Sequence, residues 1–372
     1  MKKIILILSL AIMAATFTNC KKENNSPISE SSGGIPDNIL VDIPSSISQS
    51  LKSSTQVDTG CIPISGDSIY QNIGLFIAFG EYSASFVQDI IKAIKKYELN
   101  KPMDVTFVSD EDGKQKHLVV VEGGQLEGIN YEMKLTFTDV ESNMKAMQVY
   151  WNKTQIEGIA IVHPKYFNSA DQDMQKASEL MYRVEYSSVK TADYDQKMVV
   201  AISGYPLSET DQFSIDNLKM MVTKKGDIVT VTGNSNHPNA KFINPSKKGF
   251  SYAFAAKADQ AKNIGTINLA LAPLTETDAS VFTNYSVSGV INTELNYFVT
   301  TAGQSPDAEP FHSCITSILE NCQSPAYYNA NGYVSCGTEV PSTADYTETN
   351  KLEGLKPFAP ADINALDLKF GE

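Results

Sequence analysis

Between Ile129 and Thr138 the chain alternates without a break. Ile129, Tyr131, Met133, Leu135 and Phe137 fall on one side, and Asn130, Glu132, Lys134, Thr136 and Thr138 on the other. A period of two suits an extended strand with one face in a core and one in water, and no helix sorts those residues that way. Similar runs precede it at 103–109 and 116–122, flanking Asp110-Glu111-Asp112-Gly113, whose Asp-Gly pair is a hairpin turn signal. Met147, Val149 and Trp151 continue the alternation, followed by 156–162, 182–189 and 197–203. A second hairpin pairs 218–223 with 228–232 around Lys224-Lys225-Gly226-Asp227, and segments 250–258, 263–272 and 285–300 complete the series of expected strands. About ten to twelve short strands at regular spacing predict a β-dominated α+β fold. The expected form is a large antiparallel meander curling into a barrel, half-barrel or sandwich. The strands differ in sequence, so no solenoid or propeller repeat is indicated.

Two helices are expected to cover one opening or face of that sheet. The stronger signal lies within 68–99. Ser85 stands as an N-cap with Gln88 three residues later, and Phe86, Ile90, Ile94 and Tyr97 follow at helical spacing. The preceding Ile69, Ile73, Phe76 and Ile77 keep the same period, which favours helix there although Gly74 and Gly80 weaken it. Pro102 ends the helical stretch. A shorter helix is expected over 170–181, capped by Ser169, with Gln172 completing the box and Asp171 and Asp173 in its first turn, where the dipole favours anions.

Apolar residues make up 42% and charged residues 20% of the 372, a globular composition. Before the first expected helix, residues 21–58 hold little that could build a core. Ser- and Asn-rich pieces broken by Pro27, Pro36 and Pro44 predict a flexible tether. The chain opens on Met1-Lys2-Lys3, runs apolar from Ile4 to Ala15, and reaches Thr16-Phe17-Thr18-Asn19-Cys20. A basic head with an apolar core too short to span a bilayer is an export-signal pattern.

A cysteine at the cut site resembles the lipobox of bacterial lipoproteins, with Phe17 and Asn19 where the common pattern has Leu and a small residue. Looser boxes of this kind are similar to those of spirochaetal lipoproteins first and Bacteroidota ones second. Lys22-Glu23 also resembles a surface-export tag of Bacteroidota lipoproteins. The resemblance implies a mature chain starting at a lipidated Cys20, attached to the outer membrane or cell surface through acyl chains such as palmitate. It implies a signal peptide over 1–19, and the patterning of the rest predicts a tether over 20–58, a β-rich domain over 59–300, a cysteine-containing cap over 301–340 and a C-terminal extension over 341–372. Formal charge is −13, and removing Lys2 and Lys3 with the signal leaves −15. An acidic surface repels phosphate, so nucleic acid and anionic lipid are poor partners and attachment falls to the acyl chains.

With Cys20 set aside, Cys61, Cys314, Cys322 and Cys336 remain. An even number in an exported chain predicts two disulfides, with three pairings open. The spacings Cys314-x7-Cys322-x13-Cys336 lack the close steps of zinc sites, and no metal or cofactor is expected.

No catalytic group assembles in the sequence, which contains no Gly-x-Ser-x-Gly elbow, His-Glu-x-x-His or P-loop. Gly66-Asp67-Ser68 is similar to the nucleophile block of GDS-type esterases, but none of His117, His163, His237 and His312 has Asp three residues before it. A helix cap at Asp67 or Ser68 accounts for the segment. Glu309-Pro310-Phe311-His312 has a proline inside its metal spacing. His163 and His237 each precede proline, which places them at strand ends or turns. Asp110-Glu111-Asp112 lacks the further ligands of a calcium loop and is expected to be a solvated tip.

Seventeen tyrosines and sixteen phenylalanines stand against one tryptophan. Tyr131, Tyr150, Trp151, Tyr182, Tyr186 and Tyr252, with Tyr82, are candidates to line a pocket for an apolar or glycan ligand, although filling the core of a large sheet is the favoured reading of them. The function expected is that of a non-enzymatic, lipid-anchored binding or adhesion protein engaging a protein, glycan or hydrophobic ligand. A periplasm-facing carrier of lipid or another hydrophobic ligand is the alternative, and a hydrolase comes third.

Overall fold

The computed structural model describes residues 39–48, 66–96, 98, 101–110, 112–153, 156–168, 170–208, 214–241, 244–301, 303, 325–334 and 344–372. The segment expected as a signal, most of the expected tether and all five cysteines lie outside the described residues. Among the described residues thirteen antiparallel strands dominate, so the chain is β-dominated as expected, with one strand more than the ten to twelve expected. The chain divides into two compact units, one holding 81–206 with Asp367–Glu372, the other 41–80 with 207–366.

The first unit is a meander of β1 (Met103–Val108), β2 (Gln115–Leu126), β3 (Ile129–Asp139), β4 (Met144–Trp151), β5 (Glu157–Val162), β6 (Met181–Ser187) and β7 (Gln196–Ser203). Each strand pairs with the one before it. Among the described residues β1 pairs only with β2, so this sheet does not close into a barrel. The register sets Trp151 beside Gly158 and Gly158 beside Tyr186, and likewise Val149, Ala160 and Val184, so these residues share a face. Helix residues Phe86, Val87, Ile90, Ile91 and Ile94 are buried, and Phe86 tilts against Tyr182 at 6.0 Å. Burying that many aliphatic and aromatic side chains, at about 1.5–3 kcal/mol each, is what holds sheet and helix together.

The second unit continues with β8 (Leu218–Lys225), β9 (Ile228–Lys241), β10 (Lys248–Asp259), β11 (Ile264–Ala272), β12 (Ala326–Asn329) and β13 (Gly332–Tyr333). Here too the pairing is sequential and the first and last described strands do not meet. Tyr252 and Phe254 share a face with Ser235, Gly233 and Met220. Against that face lie Phe76, 5.0 Å from Tyr252, and Ile73 and Ile77, both fully buried.

A short turn of helix, α1 (Ser45–Ser48), precedes the long α2 (Gly66–Lys96). The helical period read over 69–77 and 86–94 is one uninterrupted helix of 31 residues, so Ser85 lies inside it and caps nothing. The second expected helix shrinks to α3 (Gln172–Lys176), because Met181 already begins β6. Asp171 caps it by accepting from the backbone of Asp173 and Met174. After α4 (Val281–Asn284), the segment expected as a last strand is instead α5 (Val287–Thr301). Val287, Ile291, Leu295 and Val299 recur every fourth residue and are buried, a helical stripe that outweighs the β-branched composition. Two strands, β12 and β13, lie within the segment expected as a cysteine-containing cap. Near the end, residues 344–372 carry α6 (Pro360–Asn364) and bury Leu352, Ile363 and Leu368.

Candidate functional site

In each unit one sheet face packs on α2, and the opposite face carries polar side chains that hold the C-terminal segment. In the first unit, register sets Lys134 opposite Tyr150 and Thr136 opposite Gln148. A bulge after Phe137 pairs Thr138 with Lys145, skipping Ala146, and so returns Lys145 to that same face. Lys145 Nζ donates to Gly371 O at 2.6 Å, Gln148 Nε2 donates to the same oxygen at 3.2 Å, and Lys134 donates to Glu372 O. Tyr150 orients Gln148 by donating to its Oε1 at 3.1 Å. Burial, then the neighbouring Lys145 ammonium, holds Lys134 below the ordinary lysine value.

Gly371 sits so close that a Cβ there would fall 2.4 Å from Tyr150 Oη and 3.0 Å from Leu126 Cδ1. Tyr150 and Trp151 are therefore both fully buried for different reasons: adjacent strand residues point to opposite faces, one under the C-terminal segment and one toward α2.

In the second unit the corresponding face is an asparagine ladder. Asn234 Nδ2 donates to Phe358 O at 3.0 Å and its Oδ1 accepts from Ser251. Asn217 Nδ2 reaches Ile363 O at 2.9 Å and Leu366 O at 3.4 Å, while Asn236 Oδ1 accepts from Asn217 N at 2.6 Å. Asn217, Asn234 and Asn236 are all buried, so each amide must find partners within the protein, and much of what it finds is the backbone of 358–366. Both faces thus reach mainly main-chain oxygens, with Asn236 Nδ2 also donating to Asn364 Oδ1 at 3.4 Å.

On the helix side of the second unit, Ser235 Oγ lies 3.0 Å from His237 Nε2. The His237 ring stacks on Phe250 at 5.1 Å and meets Phe76 edge-on at 5.3 Å. His237 was expected at a strand end because Pro238 follows. It lies inside β9, since the register shift between Lys248 and Phe250 absorbs the missing proline N–H. Both Ser235 and His237 are fully buried, and a nucleophile must meet its substrate, so this pair packs the core.

All six aromatic candidates are buried. Tyr252 belongs to the second unit and the others to the first, where Tyr131 and Tyr150 lie 5.7 Å apart. Burial raises the Tyr131 hydroxyl to about 12 and raises those of Tyr186 and Tyr252 as well. The Tyr186 hydroxyl is buried without a hydrogen-bond partner, pressed over Gly158, where a Cβ would stand 2.6 Å from it. Tyr82, by contrast, is exposed.

Asp67 and Ser68 lie in the first turn of α2. His117 is a surface residue 2.7 Å from Asp104, and His163 tilts against Tyr166 at 4.5 Å. His312 and the glutamate before it fall outside the described residues, as do Cys20, Cys61, Cys314, Cys322 and Cys336. The expected solvated tip is corrected at Asp112, whose carboxylate is fully buried 3.0 Å from Lys116 Nζ.

Sequence reasoning missed the asparagine ladder. The signal was present in Asn234-Ser235-Asn236, where alternate polar amides interrupt a strand otherwise built for burial.

Among the described residues no helix is long and apolar enough to cross a membrane, and no group of His, Cys, Asp and Glu could hold a metal. No protein-family model matches this chain, and no curated protein or solved structure matches it either.

Proposed function

We propose that this chain is a lipid-anchored lipoprotein of the bacterial cell envelope, acylated at Cys20, whose β-rich body binds a protein partner without catalysing a reaction. The observation that carries the binding role is β1. This strand has one described neighbour, and it presents Val105, Phe107 and Val108 to solvent at 40%, 41% and 59% exposure. Natural edge strands are usually blunted by lysine, proline or a bulge, and Met103–Val108 has none of these. An apolar edge left open on so acidic a chain fits a partner that adds a strand.

The anchoring role rests on the Met1-to-Cys20 pattern, which places the protein at the outer membrane or cell surface. A half-open sheet and a cap stapled by disulfides among Cys61, Cys314, Cys322 and Cys336 complete the reading. Any bond made by Cys61 would close a loop of roughly 250 residues and stabilise by about 2–5 kcal/mol.

The test is a photo-crosslinking amino acid placed at position 105 or 107 in intact cells, with Lys190 as a control site of 80% side-chain exposure. A discrete crosslinked protein at 105 and 107 but not at 190 supports the reading. Equal crosslinking at all three sites, or none, refutes partner binding through β1. Native mass spectrometry showing co-purified lipid would favour the carrier instead. Mass spectrometry of the native protein is expected to find an acylated Cys20, and thiol labelling of the unreduced, denatured protein is expected to find no free thiol.

A further inference from the structure

The C-terminal segment covers two faces by two different chemistries, and the two parts are not equivalent. Residues 358–366 sit on neutral asparagines and bury Ile363, as an integral part of the second unit's core. The last six, Asp367–Glu372, belong to the first unit. They bury one large side chain, Leu368, and are otherwise gripped by two ammonium groups and an amide, all on main-chain oxygens. The steric fit at Gly371 is tight enough to exclude a methyl group.

We propose that Lys134, Lys145, Gln148 and Tyr150 form a peptide-binding site that takes an extended Leu-x-x-Gly segment, filled in this structure by the chain's own Asp367–Glu372. Three features separate a binding site from ordinary packing. The contacts are made to carbonyl oxygens, which every polypeptide offers, so the face recognises backbone. Two lysines brought to one face by a bulge repel each other until an acceptor lies between them, and the main-chain oxygens of Gly371 and Glu372 supply it. Selection then comes from Gly371, because only glycine lies flat over the Tyr150 hydroxyl. The same segment supplied in trans by a second copy of this chain would meet the same groups. The site is separate from the β1 edge and does not depend on it.

A tethered segment competes with a free one at an effective concentration on the order of mM, so the intact chain should resist replacement. The experiment uses the full chain with the segment unseated in two independent ways: Gly371→Ala, which drives a methyl group into Tyr150, and Leu368→Asp, which puts a charge in a buried position. Binding of a fluorescent synthetic peptide, Asp-Leu-Lys-Phe-Gly-Glu, is followed by anisotropy. At least one unseated variant is expected to bind it saturably and at least tenfold more tightly than the unaltered chain. Binding should disappear when Lys134→Ala and Lys145→Ala are added, or when the peptide carries Ala for Gly. Failure of both variants to bind, or binding that survives the lysine substitutions, overturns the proposal.

Discussion

Lys116 Nζ stands 2.8 Å from Asp139 Oδ1, with both side chains shut away from solvent. The same ammonium reaches Asp112 Oδ2 at 3.0 Å and donates to Tyr166 O at 3.0 Å, so one lysine ties the β1–β2 hairpin, the end of β3 and the turn after β5. Burial alone would raise the Asp139 carboxyl. The bond from Lys116 and two from Ser142 reverse that and hold it below its ordinary 3.8. A carboxylate with a depressed folded value stabilises fully above its unfolded value and loses that contribution as pH falls through the folded one. Lys116→Met would strand two buried carboxylates and is expected to destabilise the first unit by about 3–5 kcal/mol. Asp139→Asn should lose less and should flatten the stability profile below about pH 4. Urea unfolding at pH 7 and pH 3 measures both. An acid limb unchanged by Asp139→Asn would refute the assignment.

Tyr186 offers a substitution expected to do no harm. Its hydroxyl is buried without a partner, so Tyr186→Phe removes a desolvated polar group and should leave the melting temperature unchanged or raise it. Gly158→Ala should do the reverse, by about 1–3 kcal/mol, because its methyl group would meet Tyr150 O at 2.5 Å as well as the Tyr186 hydroxyl. A drop in melting temperature for Tyr186→Phe would mean that the hydroxyl has a partner.

What the sequence disclosed was local. The alternation at Ile129–Phe137 and the Asp112-Gly113 turn need only neighbours along the chain, and both appear where their patterns place them. The stripe Val287, Ile291, Leu295, Val299 was equally local, but its β-branched residues suggested a strand. Nothing local marks Lys116 as buried, since its partners are set by hairpin register and by Tyr166, fifty residues on. The polar faces are harder still. Asn217 meets Ile363 across 146 residues and Lys145 meets Gly371 across 226, and neither pairing leaves a periodic trace.

His163 gives a second pH-dependent expectation with the same sign. Its Nδ1 is buried without a partner, and burial, then Lys165, lower its value below 6.5, against a smaller opposing effect of Glu179. A histidine held neutral stabilises fully above its unfolded value, and that contribution shrinks as pH falls below 6.5 toward the folded value. His163→Phe should therefore remove a loss of stability seen between pH 6.5 and 5 in the unaltered protein. Thermal melts across that window decide it, and identical slopes for the two proteins would refute the claim.

The asparagine ladder predicts a local rather than global weakness. Asn217→Ala leaves Ile363 O and Leu366 O without their shared donor and takes away a buried amide, at about 1–3 kcal/mol. Hydrogen exchange should speed up across 358–366 before it does in β9 or β10, because those strands keep their ladder bonds. Uniform acceleration through the second unit would show that the ladder belongs to its cooperative core.

At β1 the expectation concerns association and leaves the fold untouched. Phe107 is 41% exposed and lies 6.0 Å from Phe137, so its ring touches the core without being enclosed by it. Val105→Lys combined with Val108→Lys places charge on side chains already in water, where substitutions typically change stability by less than about 0.5 kcal/mol. The same charges block an added strand, because an incoming apolar face would have to bury them. The double variant should therefore melt within a degree or two of the unaltered protein and lose its crosslink at position 107, by at least tenfold in yield. If the crosslink persists at full yield, the partner does not pair with this edge, and the apolar residues of β1 have no role in binding it.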